Sequence, residues 1–152
     1  MLPLPTRYTL AAGAAEGVTE LNAFDNALLA AGIGNLNLIR VSSILPAGAR
    51  RTEYLDLPAG SLTPTAYGTL TSATPGERIA AAVAVAVSES GFGVIMEFTG
   101  RCTREQAEAQ VRAMAEEALA GRGLAVRELH VRAVDHRVER IGCVVAAVAL
   151  WG

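Results

Sequence analysis

The chain has 152 residues, the length of one domain, and a hydrophobic fraction of 51% against 18% charged residues excludes an intrinsically disordered protein. Its net charge of −2 at pH 7 argues against nucleic acid as a partner, because nucleic-acid-binding domains carry a basic surface. All thirteen basic residues are arginine, so no lysine is present to hold pyridoxal phosphate in the usual way. Prolines interrupt the N-terminus where a signal peptide needs an apolar core, and no apolar run has the length of a membrane span. We therefore expect a single cytoplasmic domain over residues 1–152 with no membrane partner.

The N-terminal part of the sequence predicts a strand followed by a helix. Residues 7–12 have strand character, and the segment 14–17 after Gly13 is predicted to be a loop. Thr19 is a typical N-cap residue, so a helix is expected over 20–31. The apolar residues at helical spacing, which predict the buried face of this helix, are Leu21, Phe24 and Leu28.

The rest of the sequence predicts several strands and one long helix. This helix is the clearest element of the chain, because Thr103 and Gln106 form a capping-box pattern at its start. In 78–87 the alanines favour a helix, but the alternating valines favour a strand, which we expect; if all its side chains are covered, the sheet is buried on both faces. In chain order, the predicted elements are two short strands within 61–75, a hairpin of strands 78–87 and 92–99, a helix over 103–120, and strands over 124–138 and 143–151.

The stretch 35–46 contains two adjacent serines at the end of a predicted strand. The strand is expected to be buried because Leu36, Leu38 and Val41 are apolar, and Pro46 is expected to end regular pairing. On residue types alone, the two serines are ordinary polar residues at a strand end. The complete run Val-Ser-Ser-Ile-Leu-Pro at 41–46 is far more specific than the serine pair.

This run resembles the self-processing site of the pyruvoyl-dependent arginine decarboxylases, and the similarity extends over nearly the whole chain. The resemblance implies cleavage between Ser42 and Ser43, after the Ser43 hydroxyl attacks the carbonyl of Ser42. Elimination and loss of ammonia then leave a covalent pyruvoyl group at position 43. The products are chains of residues 1–42 and 43–152. This group takes the place of pyridoxal phosphate, and no metal is implied. The family usually has a second proline where Ala47 stands, a minor departure.

Asp25 is a candidate substrate-binding residue. On residue type alone, it is a solvated carboxylate at the edge of the predicted apolar helix face. The run Leu-Asn-Ala-Phe-Asp-Asn-Ala-Leu at 21–28 is similar to the first helix of the family, in which this aspartate binds the substrate guanidinium. A carboxylate suits that task because it accepts two parallel N–H bonds from a guanidinium. Ser42 is included with Asp25 among the expected substrate contacts.

Glu97 and Asn37 complete the candidate catalytic set with Ser43. A lone carboxyl in an apolar strand is either at an exposed edge or in a site that raises its pKa. The run Gly-Phe-Gly-Val-Ile-Met-Glu-Phe at 91–98 is similar to the family strand that carries the proton-donating glutamate. Asn37 is an ordinary polar strand residue by type, and the resemblance implies that it helps to hold the catalytic group.

The resemblance implies an α/β (α+β) fold, layered as an αββα sandwich, and decarboxylation of L-arginine to agmatine and CO2. It also implies a homotrimer whose sites lie between neighbouring subunits, so that Asp25 and Glu97 need not meet residue 43 within one chain. Agmatine formation would serve polyamine synthesis or acid tolerance. Two alternatives remain open from the sequence: a related decarboxylase of another amino acid, and a trimer that is neither processed nor catalytic.

The histidines and cysteines do not predict a metal site. His130 and His136 share a face of their predicted strand, but no third ligand accompanies them, so two ordinary edge histidines are expected. Cys102 and Cys143 lie far apart without metal-type spacing and are expected to be reduced thiols.

Overall fold

The computed structural model describes residues 2–42 and 44–152. Two β-sheets face each other, and each sheet carries one helix on its outer face. The described elements are β1 (Arg7–Glu16), α1 (Glu20–Ala30), β2 (Asn37–Arg40), β3 (Ile44–Leu45), β4 (Arg50–Arg51), β5 (Leu62–Ser72), β6 (Arg78–Ser88), β7 (Gly93–Gly100), α2 (Arg104–Ala120), β8 (Val126–Arg137) and β9 (Gly142–Trp151). The predicted αββα sandwich is confirmed.

The two sheets have different strand orders. The first sheet has the order β2-β5-β9-β1-β4, in which β9 pairs antiparallel with both of its neighbours and the short edge strands β2 and β4 pair in parallel. The second has the order β3-β7-β6-β8 and is antiparallel throughout. Strand β5 packs over β7 and β6, and β1 packs over β8. The edge strands β2 and β3 therefore lie on the same side of the sandwich.

The central strand β6 shows how the sequence pattern builds the layers. Its valines, including Val83 and Val85, point into the core between the sheets. The alternating alanines, including Ala82 and Ala84, point to the other face and pack against α2. Small side chains on that face let the helix approach the sheet closely. Every residue of β6 after Arg78 is buried, as the sequence predicts.

Helix α1 begins as predicted, but its packing differs from the prediction. Thr19 caps it as expected, accepting a hydrogen bond from the Asn22 backbone at 3.0 Å. The buried face consists of Ala23, Ala27 and Leu28, whereas Leu21 is 75% exposed and its predicted burial is wrong. The helix lies so close to β1 that a Cβ at Gly13 would clash with its backbone. Because β1 continues through Gly13 to Glu16, the predicted loop at 14–17 is wrong.

Four further predictions concern strands and the second helix. The capping box of Thr103 and Gln106 is confirmed at the start of α2. The segment predicted as two short strands forms the single strand β5 instead. Strand β2 is a short, largely exposed edge strand, so the predicted burial is wrong, while β3 stops before Pro46 as predicted. In the part of the chain described, we find no helix that could cross a membrane.

Candidate active site

The chain crosses from one sheet to the other at the serine pair. Strand β2 ends at Arg40 in the first sheet, and β3 begins at Ile44 in the second. The Val41 N–H still donates to the Thr65 carbonyl of β5 at 3.2 Å, and Ser42 follows with an exposed side chain. The predicted catalytic residue Ser43 lies outside the described residues. The two segments flanking it are thus each paired within a different sheet.

Glu97 lies on β7, on the same side of the sandwich as this crossing. It pairs with Val83 of β6, whose side chain points between the sheets, and its neighbours Met96 and Phe98 pack toward α2. Strand alternation therefore directs the Glu97 side chain between the sheets. Gly68 of β5 lies opposite, and a Cβ there would be 3.3 Å from the Glu97 Cβ.

The environment of Glu97 favours its protonated form. Partial burial raises the pKa of the carboxyl above its usual value of 4.5, and the positive charge of Arg40 lowers it by less. Within residues 2–42 and 44–152, no hydrogen bond contributes to this balance. A partly desolvated carboxyl without donors holds a proton more tightly, which suits a general acid.

Arg40 is a site neighbour that the sequence reasoning missed. Its guanidinium carbon lies 4.4 Å from the centroid of the Tyr67 ring, and its Nη2 donates to the Tyr67 carbonyl at 2.6 Å. The Tyr67 ring is also 6.4 Å from that of Phe24 on α1. A lone arginine at the end of a strand, two residues before the serine pair, is the signal that could have drawn attention to it.

The other two predicted site residues, Asp25 and Asn37, lie on different elements from Glu97. Asp25 is exposed on α1, next to Phe24. Asn37 is exposed at the start of β2, and its Nδ2 donates to the Gly60 carbonyl at 2.9 Å. Asn37 lies five positions before Ser42, a distance of about 16 Å along an extended chain. Among the residues described, no hydrogen bond or ion pair joins Asp25, Asn37 and Glu97.

The two histidines bind carboxylates separately. His130 Nε2 is 3.1 Å from Glu128, and its Nδ1 is 3.0 Å from an Arg51 guanidinium nitrogen. His136 Nε2 is 2.6 Å from Glu16 at the far end of β8. In the described part of the chain, no group of three or more histidine, cysteine, aspartate or glutamate side chains is arranged to hold a metal ion.

Comparison with known proteins identifies relatives over almost the entire length. The family model described as pyruvoyl-dependent arginine decarboxylase matches residues 7–151. A Methanocaldococcus jannaschii protein of that name is 50% identical over 150 residues, covering 97% of this chain and 91% of its own. A protein of the same name from Pyrococcus abyssi is 44% identical over 154 residues, covering 97% and 96%.

A solved structure supports the fold independently. The structure of a pyruvoyl-dependent histidine decarboxylase at pH 8 superposes with a TM-score of 0.52 at 16% sequence identity. The match covers 63% of this chain and 52% of that one, so this chain spans about half the length of that structure. At this identity, the likeness concerns the fold alone.

Proposed function

The chain belongs to the pyruvoyl-dependent arginine decarboxylase family, and we propose that it is a carboxy-lyase that converts L-arginine to agmatine and CO2. The observation that carries this proposal is the match over residues 7–151, together with 50% identity to a relative of that name over 97% of the chain. The half-buried carboxyl of Glu97, beside the chain crossing at the serine pair, adds geometric support.

We propose that the chain cleaves itself between Ser42 and Ser43. The Ser43 hydroxyl adds to the Ser42 carbonyl, and the C–N bond breaks to leave an ester and a free amine. Removal of the Ser43 α-proton expels the Ser42 carboxylate, and the resulting enamine takes up water and loses ammonia to leave a ketone. The pairing of β2 with β5 and of β3 with β7 supports this site, because the described ladders end at Arg40 and begin again at Ile44, on either side of the serine pair.

The pyruvoyl group supplies a ketone that binds the substrate amine and accepts the electron pair released with CO2. We assign to Glu97 the delivery of a proton to the substrate carbon that has lost CO2. Because burial raises its pKa, this carboxyl retains its proton to higher pH than an ordinary glutamate. The absence of lysine from the sequence agrees with a carbonyl cofactor built from the chain itself.

We assign to Asp25 the binding of the substrate guanidinium, and to Asn37 and Ser42 contacts that hold the catalytic group and substrate. Asp25 is exposed and takes part in no ion pair of the described residues, which leaves its carboxylate accessible to a ligand. Asp25 lies on α1, outside the first sheet, whereas Glu97 points between the sheets and Asn37 bonds to the Gly60 carbonyl. This arrangement favours sites between neighbouring subunits of a homotrimer. The free Cys102 and Cys143 favour a reducing compartment, the cytoplasm.

Carboxyl-labelled amino acids test this function. We expect release of labelled CO2 and formation of agmatine from arginine, with little turnover of histidine, lysine or ornithine. Asp25→Asn should raise KM for arginine by about tenfold or more, because it removes the charge that faces the guanidinium. Glu116→Gln, on the exposed face of α2, is the matched control. Turnover of another amino acid in preference to arginine, or none by a cleaved protein, would contradict the proposal.

A further inference from the structure

We propose that Gly68 is a positioning residue for the reaction, because the side chain it lacks leaves the space in which Glu97 stands between the two sheets. The inference rests on the proposed role of Glu97 as the proton donor. It adds a residue outside the three runs that resemble the family and assigns it a steric task.

Space, rather than backbone conformation, is what this position requires of its residue. Gly68 is not among the glycines with positive φ, so an alanine could adopt its backbone conformation. An added Cβ would instead meet side chains of β7. It would lie 3.2 Å from the Thr99 Cγ2 and 3.3 and 3.4 Å from the Cβ and Cγ of Glu97. The first two contacts are shorter than ordinary van der Waals contact between carbon atoms, and the third is at its lower limit.

Strand β5 is held in place around Gly68, so added bulk there must be accommodated by side chains of β7. Gly68 pairs with the fully buried Ala146 of β9, so strand β5 has a packed neighbour at this position. The carbonyl of Tyr67, on the preceding residue, accepts the hydrogen bond of Arg40, which ties the same peptide to β2. Because β5 is held on both sides, a methyl group at position 68 must displace the more exposed side chains of β7.

A displacement of the proton donor by a few tenths of an ångström should slow the chemical step. We expect Gly68→Ala to lower kcat by about tenfold with little change in KM, since misplacement of a catalytic group slows the reaction. Processing between Ser42 and Ser43 should proceed as in the unmodified protein, because Glu97 takes no part in the proposed cleavage.

Gly100→Ala is the matched control. Gly100 lies at the end of β7, and a Cβ there would be 3.1 and 3.2 Å from ring carbons of Phe98, a similar degree of crowding. That crowding does not involve Glu97, so kcat should stay within about twofold of the unmodified value. Adding Thr99→Ser to Gly68→Ala removes the methyl that makes the shortest contact and should restore part of the lost rate.

A second readout does not depend on the cofactor. In the unprocessed Ser43→Ala background, carboxyl-carbon NMR follows the titration of Glu97 with and without Gly68→Ala. We expect the Glu97 titration to shift with Gly68→Ala and to stay unchanged with Gly100→Ala. An unshifted titration together with unchanged kcat, or equal effects of the two substitutions, would overturn the proposal. Because the titration needs no turnover, it separates failure of this inference from failure of the proposed decarboxylase activity.

Discussion

Glu16 and Glu97 lie at different edges of the sandwich, and their surroundings shift their carboxyl pKa values in opposite directions. Glu16, at the end of β1, accepts from His136 at 2.6 Å and from the backbone of Arg140, Ile141 and Glu139 at 2.8, 3.1 and 3.2 Å. Burial raises the pKa of Glu16, but the His136 hydrogen bond and the backbone donors outweigh it and lower the pKa overall. The Glu97 carboxyl has no such donors in the described part of the chain, and its pKa is raised.

The difference separates Glu16, a carboxylate with a structural role, from Glu97, for which we propose a catalytic role. Glu16 joins β1 to the turn between β8 and β9, so its negative charge holds two elements together. Glu97 lies on the part of β7 beyond its short pairing with β3, and partial burial raises the pKa of its carboxyl. A carboxyl saturated with donors stabilises the fold, whereas a partly buried carboxyl without donors is suited to donate a proton.

Replacing Glu97 should produce the largest effect on activity. We expect Glu97→Gln to lower kcat by about 10²- to 10⁴-fold, the usual contribution of a general acid. The thermal midpoint should not fall, because glutamine fills a similar volume without a charge to desolvate. Steady-state agmatine formation and a thermal melt measure the two quantities. A variant with kcat near that of the unmodified enzyme would remove Glu97 from the proposed mechanism.

Replacing Glu16 should lower stability and leave activity unchanged, the opposite of the effects expected for Glu97. We expect Glu16→Gln to lower the free energy of unfolding by about 1–2 kcal/mol, because it weakens hydrogen bonds to a charged acceptor. At a temperature where the variant is folded, kcat should stay close to that of the unmodified enzyme. Urea unfolding and the decarboxylation assay make the comparison. Unchanged stability with lost activity would reverse the roles we assign to the two carboxyls.

The two carboxyls should also respond to pH in different windows. The raised pKa of Glu97 predicts that kcat falls as pH rises through that value, since the carboxyl loses the proton it must donate. The Glu97 contribution to folding stability is present below pH 4.5 and is lost as pH rises through the raised pKa. The lowered pKa of Glu16 predicts a contribution to folding stability that is present above pH 4.5 and is lost as pH falls through the lowered pKa. Urea midpoints from pH 3 to 9, with each carboxyl replaced in turn, measure both windows. A basic limb of the kcat profile that is unchanged in Glu97→Gln would contradict this account.

The smallest expected effect concerns Arg40. Its positive charge lowers the pKa of Glu97, so Arg40→Gln should raise that pKa and move the basic limb of kcat to higher pH. We expect a shift of less than about one pH unit, since no ion pair joins the two side chains in the described residues. Arg101→Gln, which breaks an exposed ion pair with Glu77, is the control. A shift toward lower pH would contradict the arrangement described here.

The sequence predicted best where one residue pattern determines one structure. Thr103 and Gln106 specify the start of α2, and alternating alanine and valine specify β6 with its two different faces. The candidate site came from runs of identical residues that resemble a family, since residue types alone left Glu97 open between an exposed edge and a functional carboxyl.

The predictions that were wrong or missing concern residues whose packing partners lie on other helices or strands. The helical spacing of Leu21, Phe24 and Leu28 predicts one buried face, but α1 contacts β1 through Ala23 and Ala27 beside Leu28, which leaves Leu21 exposed. Gly13 looked like the end of a strand because its need for space becomes visible only with the helix in place. Gly68 and Arg40 were missed for the same reason, since their neighbours lie on other strands.

Intact mass under denaturing conditions, beside a Ser43→Ala variant, tests self-cleavage at the serine pair. We expect two fragments that divide between Ser42 and Ser43, the larger beginning with a ketone, and a variant that remains whole. A single mass of the uncleaved 152-residue chain after prolonged incubation would contradict it and would favour a protein that is neither processed nor catalytic.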